Sequence, residues 1–376
     1  MKKIVLWLWM VLWMVGSCSL VEAATYYVST TGLDAHACST TDSAGTNKLT
    51  ITAGLACLSA GDTLRVHSGT YVERFVDNIP SGTSDVARIT IQEYPGDTVI
   101  IRPGAGNRVM EFSGTQKYIT IDGFELDAVN CSFDVVKIFS GTISAVVHDP
   151  HHIRFINCIL ENWPGGGQGL IWVGQGPSTP TGYGEVINCI VRNGGGNNGL
   201  YNGIYWQVPN GLIEGNEIYD VAGAGIQIYN GYVASFANTN VIRKNKVYAS
   251  RINTQNKGQG IILSSGNNNL AYNNLVYGMN CSGVCAGGSA GILIYSASGH
   301  KAYNNTIVGN DTVCIEIDAS NSQAKNNICW GNTNNVPFTG GSGTNNTISS
   351  NTSSDPKFVN QAAADFRVQN GSPAKG

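Results

Sequence analysis

Lys137 is the strongest candidate base in this chain. It stands at an outward position of the short apolar alternation DVVKIFSG, and a lysine takes up a proton once burial or neighbouring cations disfavour its charge. Arg192, Arg251 and Lys257 fall in segments expected to wall one side of the same face. A local basic wall on an overall acidic protein suits an acidic chain molecule. The matching chemistry is abstraction of the proton α to a carboxylate, with Lys137, Arg251 and Lys257 as the catalytic set. Trp172, Tyr205, Gln227, Tyr229 and Tyr295 recur on this face and offer rings for the apolar side of a sugar, a track for substrate binding. Asp127, Asp134, Glu161 and Asp220 lie near its edge and are the carboxylates available to Ca2+, the cofactor that would neutralise a uronate. Glu316 and Asp318 share one strand and one face at a spacing that suits hydrolysis, but they read better as a solvated pair. His148, His151 and His152 crowd the turn HDPHH on the opposite side and read as a polar loop.

These residues must be positioned by a repeat. The segments HIRFINCIL, YGEVINCIV, NGLIEGNEIY, TNVIRKNKVY, NLAYNNLVY, HKAYNNTIV and SQAKNNICW place Asn157, Asn188, Asn216, Asn245, Asn274, Asn305 and Asn327 in one register at intervals of 22 to 31 residues. That is the period of a solenoid whose coils differ in loop length, and an Asn at one turn of every coil can stack its amide on the next. Ahead of each Asn segment runs an alternation such as GLIWVGQG, NGIYWQVP, AGIQIYNG or QGIILSSG. Its inward series, from Val136 and Ile138 to Ile315 and Ile317, is almost wholly apolar. Each coil is then strand, turn, strand, Asn turn, strand and variable loop, so the expected fold class is all-β, a right-handed parallel β-helix.

Composition agrees. Forty-seven Gly and 12% charged residues exclude a helical bundle and a disordered chain. Residues 1–23 read as an export signal: Lys2 and Lys3, an apolar run from Ile4 to Val15, then small residues, with cleavage expected after Ala23. The protein is thus expected to be secreted or displayed at the cell surface. Cys18 in VGSC offers the minority alternative of a lipid anchor. No later segment is apolar enough to span a bilayer. Without residues 1–23 the chain holds 20 basic and 24 acidic residues, which disfavours nucleic acid as a partner. In an oxidising compartment Cys38 with Cys57, and Cys281 with Cys285, are the expected disulfides, while Cys158 and Cys189 are either bonded or stacked.

Residues 25 to 74, with YYVSTTG and AGLACLSAGDTLRVHSGTY, then SGTSDVARITIQEYPGD, DPKFVN and DFRVQNGSPA, resemble exported bacterial right-handed β-helix proteins of the pectate-lyase-like superfamily. The resemblance implies a helix around ITAGLACL that caps the tube, and an organisation into cap and first coils (24–105), repeats (106–335) and irregular final coils (336–376). It also implies a polysaccharide partner, here an acidic one, bound along the outward face and cleaved by β-elimination if the protein is a lyase. The alternative is a non-catalytic surface or matrix protein binding glycan or protein there. The chain departs from relatives in lacking a DGFAAK-like strand, of which DVVKIFSG is a shortened echo, and in lacking the polygalacturonase-like NTD, DD, HG and RIK series.

Overall fold

The computed structural model describes residues 23–143, 146–176, 180–231, 236–255, 257–281, 285, 289–341 and 343–375. Residues 1–22 of the expected export signal, Cys18 among them, lie outside the described residues. No helix among the described residues is long and apolar enough to cross a membrane.

Alternating apolar residues build three long parallel sheets of 12, 11 and 10 strands that wind together as a right-handed parallel β-helix. One coil shows the logic. Asn202–Trp206 belongs to the 11-stranded sheet, Leu212–Glu214 to the 12-stranded sheet and Glu217–Val221 to the 10-stranded sheet, before Ile226–Ile228 begins the next rung on the first. Register is in step throughout: Val136, Ile171, Ile204, Ile226, Ile261, Ile292 and Ile315 stand directly above one another. All seven are completely buried. A one-residue slip would turn this whole row to solvent, so the alternation itself fixes the register.

At the entrance, the helix Ile51–Leu55 covers the first coil, burying Ile51 and Leu55 in the same core as Val28 and Leu64. Thr50 caps it through Oγ1, and the Glu73 carboxylate accepts from the amides of Ile51 and Thr52 at 2.7 and 2.8 Å. Cys38–Cys57 ties this cap to the preceding loop. Cys281–Cys285 is also bonded, and a third bridge, Cys314–Cys329, crosses the interior where sequence proximity gave no hint. Cys158 and Cys189 are unbonded and buried.

The asparagine ladder is real but begins later than the sequence reading places it. Side-chain amides link Asn216, Asn245, Asn274, Asn305, Asn327 and Asn351, each Nδ2 donating to the next Oδ1 at 2.8–3.0 Å. Each Oδ1 also accepts the backbone amide of the residue one rung before, and the first of these amides belongs to Cys189. Asn157 and Asn188 are therefore out of register by one. They occupy the left-handed position ahead of the ladder (φ 54° and 52°), a conformation Asn tolerates better than most residues, and thiols fill the ladder positions at Cys158 and Cys189. A second buried column at the preceding corner runs from Asn240 to Asn269 and then to His300.

Candidate functional site

The outward rows of the 11-stranded sheet carry the candidate site. Strand pairing aligns Glu111, Lys137, Trp172, Tyr205, Gln227, Ile262, Leu293 and Glu316 in one row along the tube. At its amino-terminal end the chemistry is concentrated. Lys137 is only 17% exposed in its side chain, and its Nζ lies 4.8 Å from the Trp172 ring centre and 4.9 Å from that of Phe139. Glu111 Oε1 is 3.7 Å from the same Nζ, while Glu111 Oε2 faces Arg108 at 3.4 Å and Arg74 at 3.5 Å. Three cations thus converge loosely on one carboxylate. Burial, followed by the Arg108 charge, lowers the Lys137 pKa from the ordinary lysine value, with Glu111 and Asp134 opposing. Trp172 is held by a bond from Nε1 to Gln207 Oε1 at 3.0 Å.

Further along, the row closes. Tyr205 is 7% exposed, and Ile262 and Leu293 are 4% exposed, packed with Ala224 and Ala290 in a small outer core. The expected aromatic track is therefore interrupted. Trp172 and Tyr229 flank the buried Tyr205, whose ring centre is 6.2 Å from that of Tyr229, and the exposed Tyr295 stands two rungs beyond. Gln227 stays half-buried between them.

Arg251 and Lys257 are not brought to Lys137. Their loop precedes the strand Ile261–Leu263, four rungs from Lys137, on the order of 19 Å along the sheet. Arg251 grips both oxygens of Asp220 at 2.6 and 2.9 Å, which raises its pKa, so it cannot act as a base. The Lys257 carbonyl is tied to Asn253 Nδ2 at 2.6 Å, and the loop leans back so that Thr254 N donates to Asn197 O. The third wall cation, Arg192, is bound to Glu161 at 2.6 Å.

The carboxylates suggested for a metal separate in the same way. Asp134 is fully buried, pairs with Arg108 at 3.1 Å and accepts from the Gln168 amide at 2.7 Å. Asp220 belongs to Arg251. Asp127 and Glu161 do meet on neighbouring rungs and are joined by Glu125, whose pKa is raised by burial and then by those two charges. Guanidinium groups already occupy this cluster, however: Arg102 lies 2.6 Å from Asp127 and Arg192 2.6 Å from Glu161. Two guanidinium groups against three carboxylates leave about one net negative charge in this cluster to attract a cation. At the far end, Glu316 and Asp318 both have raised pKas, first from burial and for Glu316 also from its neighbour. Arg74, Arg108 and Gln207 were not picked out from the sequence as chemistry. Extending the outward alternation one coil back, where Val76 pairs with Glu111, would have turned Arg74 to this face.

A family model described as a right-handed β-helix region matches residues 119–290. Among solved structures the chain is similar to the pectate lyase Pel9A, with 14% identity, 93% of this chain and 90% of that one covered, and a TM-score of 0.60. A rhamnogalacturonan lyase aligns with 14% identity over 91% and 92% of the two chains at a TM-score of 0.58. The GH136 lacto-N-biosidase from Eubacterium ramulus aligns with 12% identity over 87% and 67% at 0.54. A search of curated proteins by sequence gives no match. At such identities the likeness establishes the fold, and with the three stacked sheets it identifies the chain as a right-handed parallel β-helix protein, built like the pectate lyases.

Proposed function

We propose that the protein binds an acidic polysaccharide at the Lys137 end of the 11-stranded sheet and cleaves it by β-elimination. The observation that carries this reading is Lys137 itself, a half-buried lysine between two aromatic rings, with its charge disfavoured and Arg74 and Arg108 at hand. In this reading Arg74, the more exposed of the two, neutralises the uronate carboxylate, which acidifies the α C–H bond, while Arg108, held by Asp134, disfavours the charge on Lys137. Neutral Lys137 takes that proton, the electron pair forms the ring double bond, and the C–O bond to the next sugar breaks, its oxygen taking a proton from solvent. Trp172, fixed by Gln207, stacks on the adjoining sugar. Polysaccharide lyases among the structural neighbours support a polysaccharide partner. Three disulfides agree with an oxidising, extracellular compartment, and we place the protein there, delivered by its leader.

Glu111 favours a second reading, non-catalytic glycan binding, because its carboxylate sits beside Lys137 and supports the charged form. Incubation with pectate, alginate and glycosaminoglycans, with and without Ca2+, separates the two by the ultraviolet absorbance of the unsaturated uronate product. A lyase gives a rise that Lys137→Ala lowers about 100-fold or more while binding persists. Binding without any rise on these substrates leaves the non-catalytic reading standing.

A further inference from the structure

The C-terminal segment returns along the outside of the tube as an antiparallel pair, Phe358–Asn360 with Asp365–Val368. Phe366 pins it there, its ring centre 5.0 Å from Tyr277 and 5.2 Å from Phe358. Tyr277 in turn ends a column of stacked rings, 4.8 Å from Tyr248, which is 5.0 Å from Tyr219. Between this strap, the residues that follow it and the corner of the tube lie two adjoining cavities of about 460 and 550 Å³, which share Asn304 and Thr306. Each is of a size that takes a small ligand.

The walls have a consistent chemistry. Asn273, Asn304 and Asn326 hold the left-handed position before successive ladder residues (φ 56°, 54° and 57°), so the ladder amides point inward while these three remain exposed at the crevice. Among the described residues, none of the three side chains has a hydrogen-bond partner in the protein. They recur one rung apart, about 4.8 Å, parallel to the tube. Thr306 and Thr352 add hydroxyls, and Leu275, Ile328, Phe366 and Pro373 add apolar surface. The charged lining residues, Asp365 and Arg367, neutralise one another at 2.5 and 2.8 Å. A repeated row of free amides and hydroxyls beside apolar patches, with no net charge, matches an uncharged polyhydroxylated chain. It offers no unpaired cation to a uronate.

We propose that this crevice binds a neutral oligosaccharide lying parallel to the tube axis, at a site separate from the Lys137 groove. It would hold the protein on an uncharged glycan whatever happens in that groove. The test uses the mature chain and cellohexaose, xylohexaose, mannohexaose and maltohexaose, with hexagalacturonate as the acidic comparison, followed by saturation-transfer NMR and calorimetry. At least one neutral probe is expected to bind with Kd of about 1 mM or tighter. The pair Asn304→Asp and Asn326→Asp, which suits the left-handed backbone, should weaken that binding roughly tenfold or more, as should Thr306→Val. Lys137→Ala should leave it unchanged. The proposal is overturned if no neutral probe binds, if binding survives both sets of crevice substitutions, or if Lys137→Ala abolishes it. Loss of hexagalacturonate binding alone in Lys137→Ala speaks to the groove and leaves the crevice intact.

Discussion

His300 should make the tube acid-sensitive, and replacing it by asparagine should remove a defined part of that sensitivity. Its ring is completely buried in the column that begins at Asn240 and Asn269. Nδ1 accepts from the Asn269 amide at 3.3 Å and Nε2 donates to Ser296 O at 2.9 Å, an arrangement that only the neutral ring can satisfy. Burial holds its pKa at about 4, against an ordinary value of 6.5. The unfolded chain therefore binds this proton at a higher pH than the fold does. Stability from this group is complete above pH 6.5 and is lost as pH falls toward 4. At about 1.4 kcal/mol per pH unit, the gap amounts to about 3 kcal/mol. His300→Asn continues the amide column and titrates nowhere in that range. Urea unfolding of both proteins at pH 7 and pH 4 isolates the term, since carboxylates and the remaining histidines are common to the pair. The parent should lose about 3 kcal/mol more than the variant. Equal losses would show that His300 is not held neutral by the fold.

The ladder register makes an unusual substitution acceptable. Cys189→Asn should fold with stability close to the parent, because its amide can reach Asn216 Oδ1 and Phe155 O as the ladder residues reach theirs, whereas Asn245→Leu should cost about 3 kcal/mol by stranding Asn216 and Ile213 O. Similar urea midpoints for the two variants would refute the register. EDTA should leave the melting temperature unchanged, as Arg102 and Arg192 already neutralise the Asp127 and Glu161 pair; a fall on chelation, reversed by Ca2+, would contradict this. Trp172→Ala should weaken polyuronate binding by about 1 kcal/mol in affinity electrophoresis, and Tyr295→Ala, several rungs away, should not. Turnover should rise with pH through a pKa below that of a free lysine, because the base works only when deprotonated; a flat profile across pH 7 to about 10 would exclude Lys137 as that base.

Much of the fold was legible because two periods coincide in the chain. Alternation within a strand chose the inward residues, and the spacing between coils chose which of them stack, so the inward row from Val136 to Ile315 follows from pattern alone. The ladder start was not legible from the Asn residues themselves. Two adjacent backbone positions favour asparagine for different reasons, one for its left-handed tolerance and the next for its amide. In INC the first is Asn and the second Cys, while in YNN both are Asn. Strand parity separates them: three residues after the inward Ile213 is Asn216, and three after the inward Val186 is Cys189.

The site was legible in the same graded way, and for one reason. Residues on strands inherit the register, which is why alternation alone puts Lys137, Trp172 and Tyr205 on one outward row. Loops inherit nothing from it. Arg251 and Lys257 appeared near the groove in sequence order, yet their loop begins four rungs away and spends its guanidinium on Asp220. The same loops decide exposure, so Ile262 and Leu293 point outward by parity and are nonetheless buried. What parity cannot supply is electrostatic company. Burial and Arg108, at the edge of a neighbouring strand, disfavour the charge on Lys137, and Arg74, a coil earlier, meets both at Glu111. The surroundings of Lys137 are therefore specified by three rungs together, and within its own coil alone it is indistinguishable from a solvating lysine.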